Sequence, residues 1–187
     1  MTVATLFIDL QVDFFSSHPR LIQNRSRLAS NVNRLAAISR SSGASIFWVK
    51  QIFAADLHDA PHAVRHGGYR ITVQGTDGAQ LLPEIGVDAA DHTIIKKRYS
   101  AFFGTELDSL LQRLACDRIV IAGINTHACV RTTAVDAYQR DYKVLLANDC
   151  IDSYDQVHHD ISMHYMDGKI GVALTNTQLE AELRKHP

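Results

Sequence analysis

The chain has 187 residues, 46% of them hydrophobic and 21% charged, and a formal net charge of -1. That length buries a core without disulfide or metal staples and reads most simply as one domain, residues 1–187. The near-zero charge gives no electrostatic case for nucleic acid, and no apolar run approaches the roughly 20 residues needed to span a bilayer. The opening "MTVATLFIDLQ" lacks the basic start and long apolar stretch of a secretory leader, so the expected location is cytoplasmic.

In chain order, "VATLFI" (3–8) reads as a buried strand, 24–41 as a helix, "ASIFWVK" (44–50) and "HTIIK" (92–96) as strands, and 105–114 as a helix. "RIVIAG" (118–123) is a further strand. It is followed by a helix over 126–140, the strand "KVLLAN" (143–148), a helix over 156–166, a short strand near 170–174 and a closing helix from Asn176. Apolar strands alternating with helices imply βαβ units with right-handed crossovers. The expected fold is α/β in three α/β/α layers: a mostly parallel, Rossmann-like sheet of about six strands with helices on both faces. Residues 51–91 resist the pattern, with Gly67, Gly68, Gly75, Gly78, Gly86, Pro61 and Pro83 and little periodicity. Such a stretch is either a binding loop or a solvated excursion; "GTDG" (75–78) reads as a turn and "GAQLLPEI" (78–85) as a short helical piece.

Cys116, Cys129 and Cys150 form no CxxC pair and leave an odd one, so free thiols are expected. Only Cys129 follows a strand-to-helix crossing, in "GINTHACV". There the oxygen of Thr126 or Asn125 is the expected cap, and the helix N-terminus favours a thiolate. Parallel sheets bind ligands beyond the carboxyl ends of their strands, and three such ends carry reactive types: Asp9 after "ATLFI", Lys96 or Lys97 after "HTII", and Cys129. An acid that takes a thiol proton, a cation that holds the local negative charge and a cysteine are the minimum set for thiol attack on a carbonyl.

"LFIDLQVDFF", "IIKKRYSAFFGTEL" and "VIAGINTHACVRTTAVDAYQRDYKVLLANDC" resemble, in order, three signature blocks of the isochorismatase-like cysteine hydrolases. That family includes nicotinamidases, N-carbamoylsarcosine amidohydrolases and ureidoacrylate amidohydrolases. The resemblance implies a catalytic triad of Asp9, Lys96 and Cys129, with "KKRYSAF" selecting Lys96 over Lys97. It also implies a cis peptide between Ile124 and Asn125, an oxyanion hole formed by the backbone N–H groups of Asn125 and Cys129, and a homo-oligomer, dimer or tetramer. The implied activity is hydrolysis of a small-molecule amide, ureido or related C–N bond through a thioester. The alternatives are a vinyl-ether hydrolase and a noncatalytic binding protein.

Nicotinamidases of this family carry a metal site with an Asp-x-His just after the second strand. Here Asp56, His58, His62 and His66 lie several residues further on, and Pro61 interrupts the helix that would align the histidines. No metal and no cofactor are expected. Phe14, Trp48, Tyr99, Phe103 and His127 are the substrate-binding candidates, for a small apolar pocket with one polar contact.

Overall fold

The computed structural model describes residues 2–185. Six parallel strands form one sheet: β1 (Thr2–Ile8), β2 (Ser45–Gln51), β3 (His92–Lys96), β4 (Cys116–Gly123), β5 (Lys143–Ile151) and β6 (Val172–Leu174). Their order is β3-β2-β1-β4-β5-β6. The chain winds outward one way from β1 to β3 and the other way from β4 to β6. The order therefore reverses between β1 and β4, and open α/β sheets form their ligand crevice at such a reversal.

Side chains alternate across the sheet. In β1, Val3 and Phe7 join one apolar layer, and Ala4, Leu6 and Ile8 join the other. Helices α1 (Pro19–Ser41) and α6 (Asn176–Arg184) cover the first face through Leu21, Leu28, Val32, Leu35, Leu179 and Leu183. Helices α3 (Leu107–Arg113), α4 (Arg131–Gln139) and α5 (Gln156–Met166) cover the second through Leu107, Leu111, Ala134, Ala137 and Met166. The result is the three-layer α/β/α architecture. No helix among the described residues is long and apolar enough to cross a membrane.

Three local expectations are corrected, and one left open is narrowed. The first helix begins at Pro19, not residue 24, because proline suits the first helical position, where its missing N–H has no intrahelical role. The expected helix over 126–140 is divided: Thr126–Val130 forms a π turn and α4 starts at Arg131. Of residues 78–85 only Gly78 and Ala79 are helical, in a 3-10 turn at Asp77–Ala79 that stops before Pro83. The 51–91 stretch is anchored and not merely solvated, for Phe53, Leu57, Ala60, Val64 and Val73 bury a satellite cluster beside the short helix α2 (His62–His66). Gln11 adds a polar tie. Its Nε2 donates to the carbonyls of Gln51 (2.8 Å) and Ala79 (2.9 Å), while its Oε1 accepts from the Gln51 N–H (2.9 Å).

Candidate active site

Asp9 directly follows β1, and its φ of 55° turns the chain out of the sheet, a left-handed conformation that aspartate tolerates better than most residues. Its N–H still donates to the Val49 carbonyl at 2.9 Å, which fixes the turn against β2. Lys96 ends β3, two strands away, in register with Gln51. Strand spacing makes that separation about 10 Å, which the lysine stem and the aspartate arm cross together. On the other side of β1, Gly123 ends β4 opposite Ile8. Its φ of 115° and an added Cβ's approach to within 2.1 Å of the Ile8 carbonyl oxygen admit only glycine there. The next peptide, Ile124–Asn125, is cis. The π turn then carries Cys129.

Lys96 Nζ lies 2.8 Å from Asp9 Oδ2 and 3.3 Å from Cys129 Sγ, and it donates to the Arg98 carbonyl at 3.1 Å. All three side chains are nearly excluded from solvent, with residue exposures of 1% for Asp9, 0% for Lys96 and 5% for Cys129. Burial raises the pKa of Asp9, against the opposing pull of the Lys96 charge and the Cys129 thiol. Burial alone would lower the Lys96 ammonium; the negative charges available to Asp9 and Cys129 outweigh it and leave it raised. The Cys129 thiol is pushed well up, first by burial and then by Asp9, with Lys96 only partly opposing. Burial therefore works against the thiolate that a helix N-terminus was expected to favour.

The turn is held from outside. Neither Asn125 nor Thr126 caps it through its side chain. Instead Asn125 Oδ1 accepts from the Tyr154 N–H (3.2 Å), and Thr126 donates through both N–H (3.1 Å) and Oγ1 (2.9 Å) to the Asp152 carbonyl. His127 Nδ1 is 2.9 Å from Ser153 Oγ, and its ring meets Tyr154 edge-on with centroids 5.1 Å apart. Burial, with the charge of His158, holds the His127 pKa below its ordinary value, so its imidazole is neutral near pH 7.

The other candidates separate clearly. Trp48 is fully buried, stacks on Phe7 and donates through Nε1 to Asp91 Oδ2 at 2.8 Å. It belongs to the core layer under α1, whereas Cys129 belongs to the opposite layer, so it is not a pocket wall. Phe14 is half-buried against that same layer. Tyr99 and Phe103 are exposed on the loop after Lys96, which is pinned to α4 by the Ser100–Asp136 hydrogen bond and by the Ala101 N–H to Thr133 Oγ1. Asp56 and His58 pair in solvent, and the rings of His62 and His66 stand 4.4 Å apart; among the described residues no group of three or more His, Cys, Asp or Glu could hold a metal ion. Two shallow surface depressions lie elsewhere, one between α1 and α6 and one beside Tyr138, Lys143 and Val172. The sequence pattern gives no sign of Gln11 or of the 152–154 segment as organisers of the site, because each acts through partners remote in the chain.

Fold and cluster define a class: a parallel α/β protein with an acid, a lysine and a thiol packed at the carboxyl ends of its strands, at the reversal of strand order. Within that class the chain belongs to the isochorismatase family, whose Isochorismatase domain matches residues 3–178. An isochorismatase family protein from Desulfovibrio vulgaris superposes with a TM-score of 0.89 at 28% identity, over 98% of each chain. N-carbamoylsarcosine amidase from Thermoplasma acidophilum gives a TM-score of 0.78 at 25% identity, over 94% of this chain and 97% of that one. A probable inactive nicotinamidase from Arabidopsis thaliana is 32% identical over 145 residues, 74% of each chain.

Proposed function

We propose that the protein is a cysteine-dependent hydrolase of a small-molecule amide, ureido or related C–N bond, with Asp9, Lys96 and Cys129 as its catalytic residues. The observation that carries this reading is the buried ammonium of Lys96 within 2.8 Å of a carboxylate and 3.3 Å of a thiol. In so dry a site a thiolate beside an ionised Asp9 would leave one ammonium facing two negative charges. Proton transfer from Cys129 Sγ to Asp9 avoids this, for it moves the single negative charge from oxygen to sulfur while Lys96 holds it throughout. The raised pKa of Asp9 makes the transfer less uphill.

As the proton leaves, sulfur forms a bond to the substrate carbonyl carbon and the C=O π pair moves onto oxygen. The N–H groups of Asn125 and Cys129 are assigned to that oxyanion, each such donor being worth about 3 kcal/mol. Collapse expels the amine, which takes the proton back from Asp9. Water then attacks the thioester and gives a proton to Asp9. The C–S bond breaks and the proton returns to sulfur. A nearly solvent-excluded sulfur suits a small acyl group, not a polypeptide segment.

The solved amidase relative fits this chemistry, and the probable inactive nicotinamidase is the reason the substrate must come from assay and not from likeness. The test is a screen of small amides, ureido acids and nicotinamide for ammonia release, with intact-mass detection of the acyl-enzyme. Modification at Cys129 supports the reading; turnover retained by Cys129→Ala refutes it.

A further inference from the structure

Asp152 is the second solvent-excluded carboxylate at this end of the sheet, and the proposed reaction gives it no chemical step. Four donors converge on it. Oδ1 accepts from Arg20 Nη2 and the Ser153 N–H, each at 2.8 Å. Oδ2 accepts from Asn24 Nδ2 at 2.8 Å and Arg27 Nη2 at 3.0 Å. Arg20, Asn24 and Arg27 follow one another at i, i+4 and i+7, so one face of α1 supplies all three side chains. Arg20 Nε adds a bond of 2.9 Å to the Ser153 carbonyl.

The backbone of the same residue faces the turn that carries the thiol. The Asp152 N–H donates to the Gly123 carbonyl at 3.2 Å, and its carbonyl takes both donors of Thr126. With the Ser153–His127 and Tyr154–Asn125 bonds, three consecutive residues hold Gly123, Asn125, Thr126 and His127. We infer that Asp152 is a positioning residue for Cys129: its carboxylate, gripped by α1, fixes the 152–154 segment, which holds the Thr126–Val130 turn and keeps the sulfur beside Lys96 and Asp9. This rests on the reading of Cys129 as the nucleophile. Helix α1 packs on the sheet face opposite the Cys129 layer, so the tie passes around the end of the sheet. An ion pair serves here because charge-assisted hydrogen bonds from four fixed directions leave the carboxylate one orientation. An apolar contact would permit sliding.

Asp152→Asn tests this, since its amide group sets a donor against two donors. On a substrate found by the amide screen, kcat falls roughly ten- to a hundredfold, the scale of a misplaced reacting atom, while KM stays within about threefold. Iodoacetamide alkylation of Cys129, followed by peptide mass spectrometry, becomes several-fold faster as the turn loosens. Cys116 and Cys150, also buried, keep their wild-type rates. Faster alkylation of all three marks general loosening and overturns the inference, as does an unchanged rate at Cys129. The alkylation arm needs no substrate, so its failure is separate from that of the hydrolase reading, which retained turnover in Cys129→Ala would refute. Should Asp152→Asn not fold, Asn24→Ala removes one donor, keeps both arginines and carries the same readouts with smaller changes in the same directions. Wild-type behaviour in that variant overturns the inference.

Discussion

Two acid–base pairs of nearly equal length behave in opposite ways. Lys96 and Asp9 stand 2.8 Å apart with side chains 0% and 1% exposed; His58 and Asp56 stand 2.6 Å apart with side chains 71% and 73% exposed. Burial raises the pKa of Asp9, whereas hydrogen bonds from His58 hold Asp56 below the ordinary carboxylate value. Distance alone therefore does not set which way a carboxylate's pKa moves. Removal from water changes the chemistry of Asp9, because there its charge has few partners besides the ammonium that faces it.

The largest effect that would break this contrast is at the sulfur. Cys129→Ala should cost at least ~10⁴-fold in turnover, the scale on which lost nucleophiles act, with thermal unfolding close to wild type. Cys150 is the control. It is also buried, its thiol pushed up to about 12 mainly by burial, but its partner is Asn176 Oδ1 at 3.3 Å, so Cys150→Ala should leave turnover intact. Next in size is Lys96→Met, which strands Asp9 in the interior and should destabilise the fold by about 3–5 kcal/mol near neutrality. The sign with pH follows from the raised pKa of Asp9. Without Lys96 that pKa rises further, so the deficit should be fullest above the variant's own folded-state value and shrink as pH falls below it toward the unfolded carboxylate range in denaturant titrations. Lys97→Met removes a partly exposed pair with Asp59 at 2.7 Å and should cost less than about 1 kcal/mol.

The same contrast explains what was legible in the sequence. The inner strands read clearly because strands covered on both faces are continuous apolar runs; Asp9 follows β1, Lys96 ends the edge strand β3, and Cys129 lies in the turn after β4. Trp48 misled because an aromatic at a strand position looks alike in core and in pocket; its layer is fixed by the pleat and by Phe7, which the pattern does not rank. The π turn and the buried thiol were hidden for a related reason. Thr126 and Asn125 have the composition of caps, yet their bonds go to Tyr154 and Asp152, some 25 residues on, and the thiol's burial depends on strands that only the fold brings beside it. With the first helix expected from residue 24, Arg20 fell outside it, so the Arg20, Asn24 and Arg27 face of α1 and its grip on Asp152 were not readable.

A smaller effect sharpens the electrostatic half of the comparison. Asp9 must be ionised to take the thiol proton, so activity should be lost as pH falls through its pKa. Because that pKa is raised, the acid limb of the kcat/KM profile should lie above the ordinary carboxylate range. A limb at the ordinary value would mean that Asp9 is solvated in the working enzyme. His127, neutral near pH 7, should add no second acid limb at neutrality, and His127→Asn should leave the limb where it is.

The smallest expected effect is at the exposed pair. With water on most of its surface the His58–Asp56 contact gains little, and neither residue touches the Asp9 cluster. His58→Ala and Asp56→Asn should therefore leave turnover and melting temperature unchanged, with or without EDTA in the assay. A drop in turnover on chelation would join this segment to the site. A drop in His58→Ala alone, rescued by neither zinc nor imidazole, would make His58 a substrate contact and join the 51–91 stretch to the site despite its exposure.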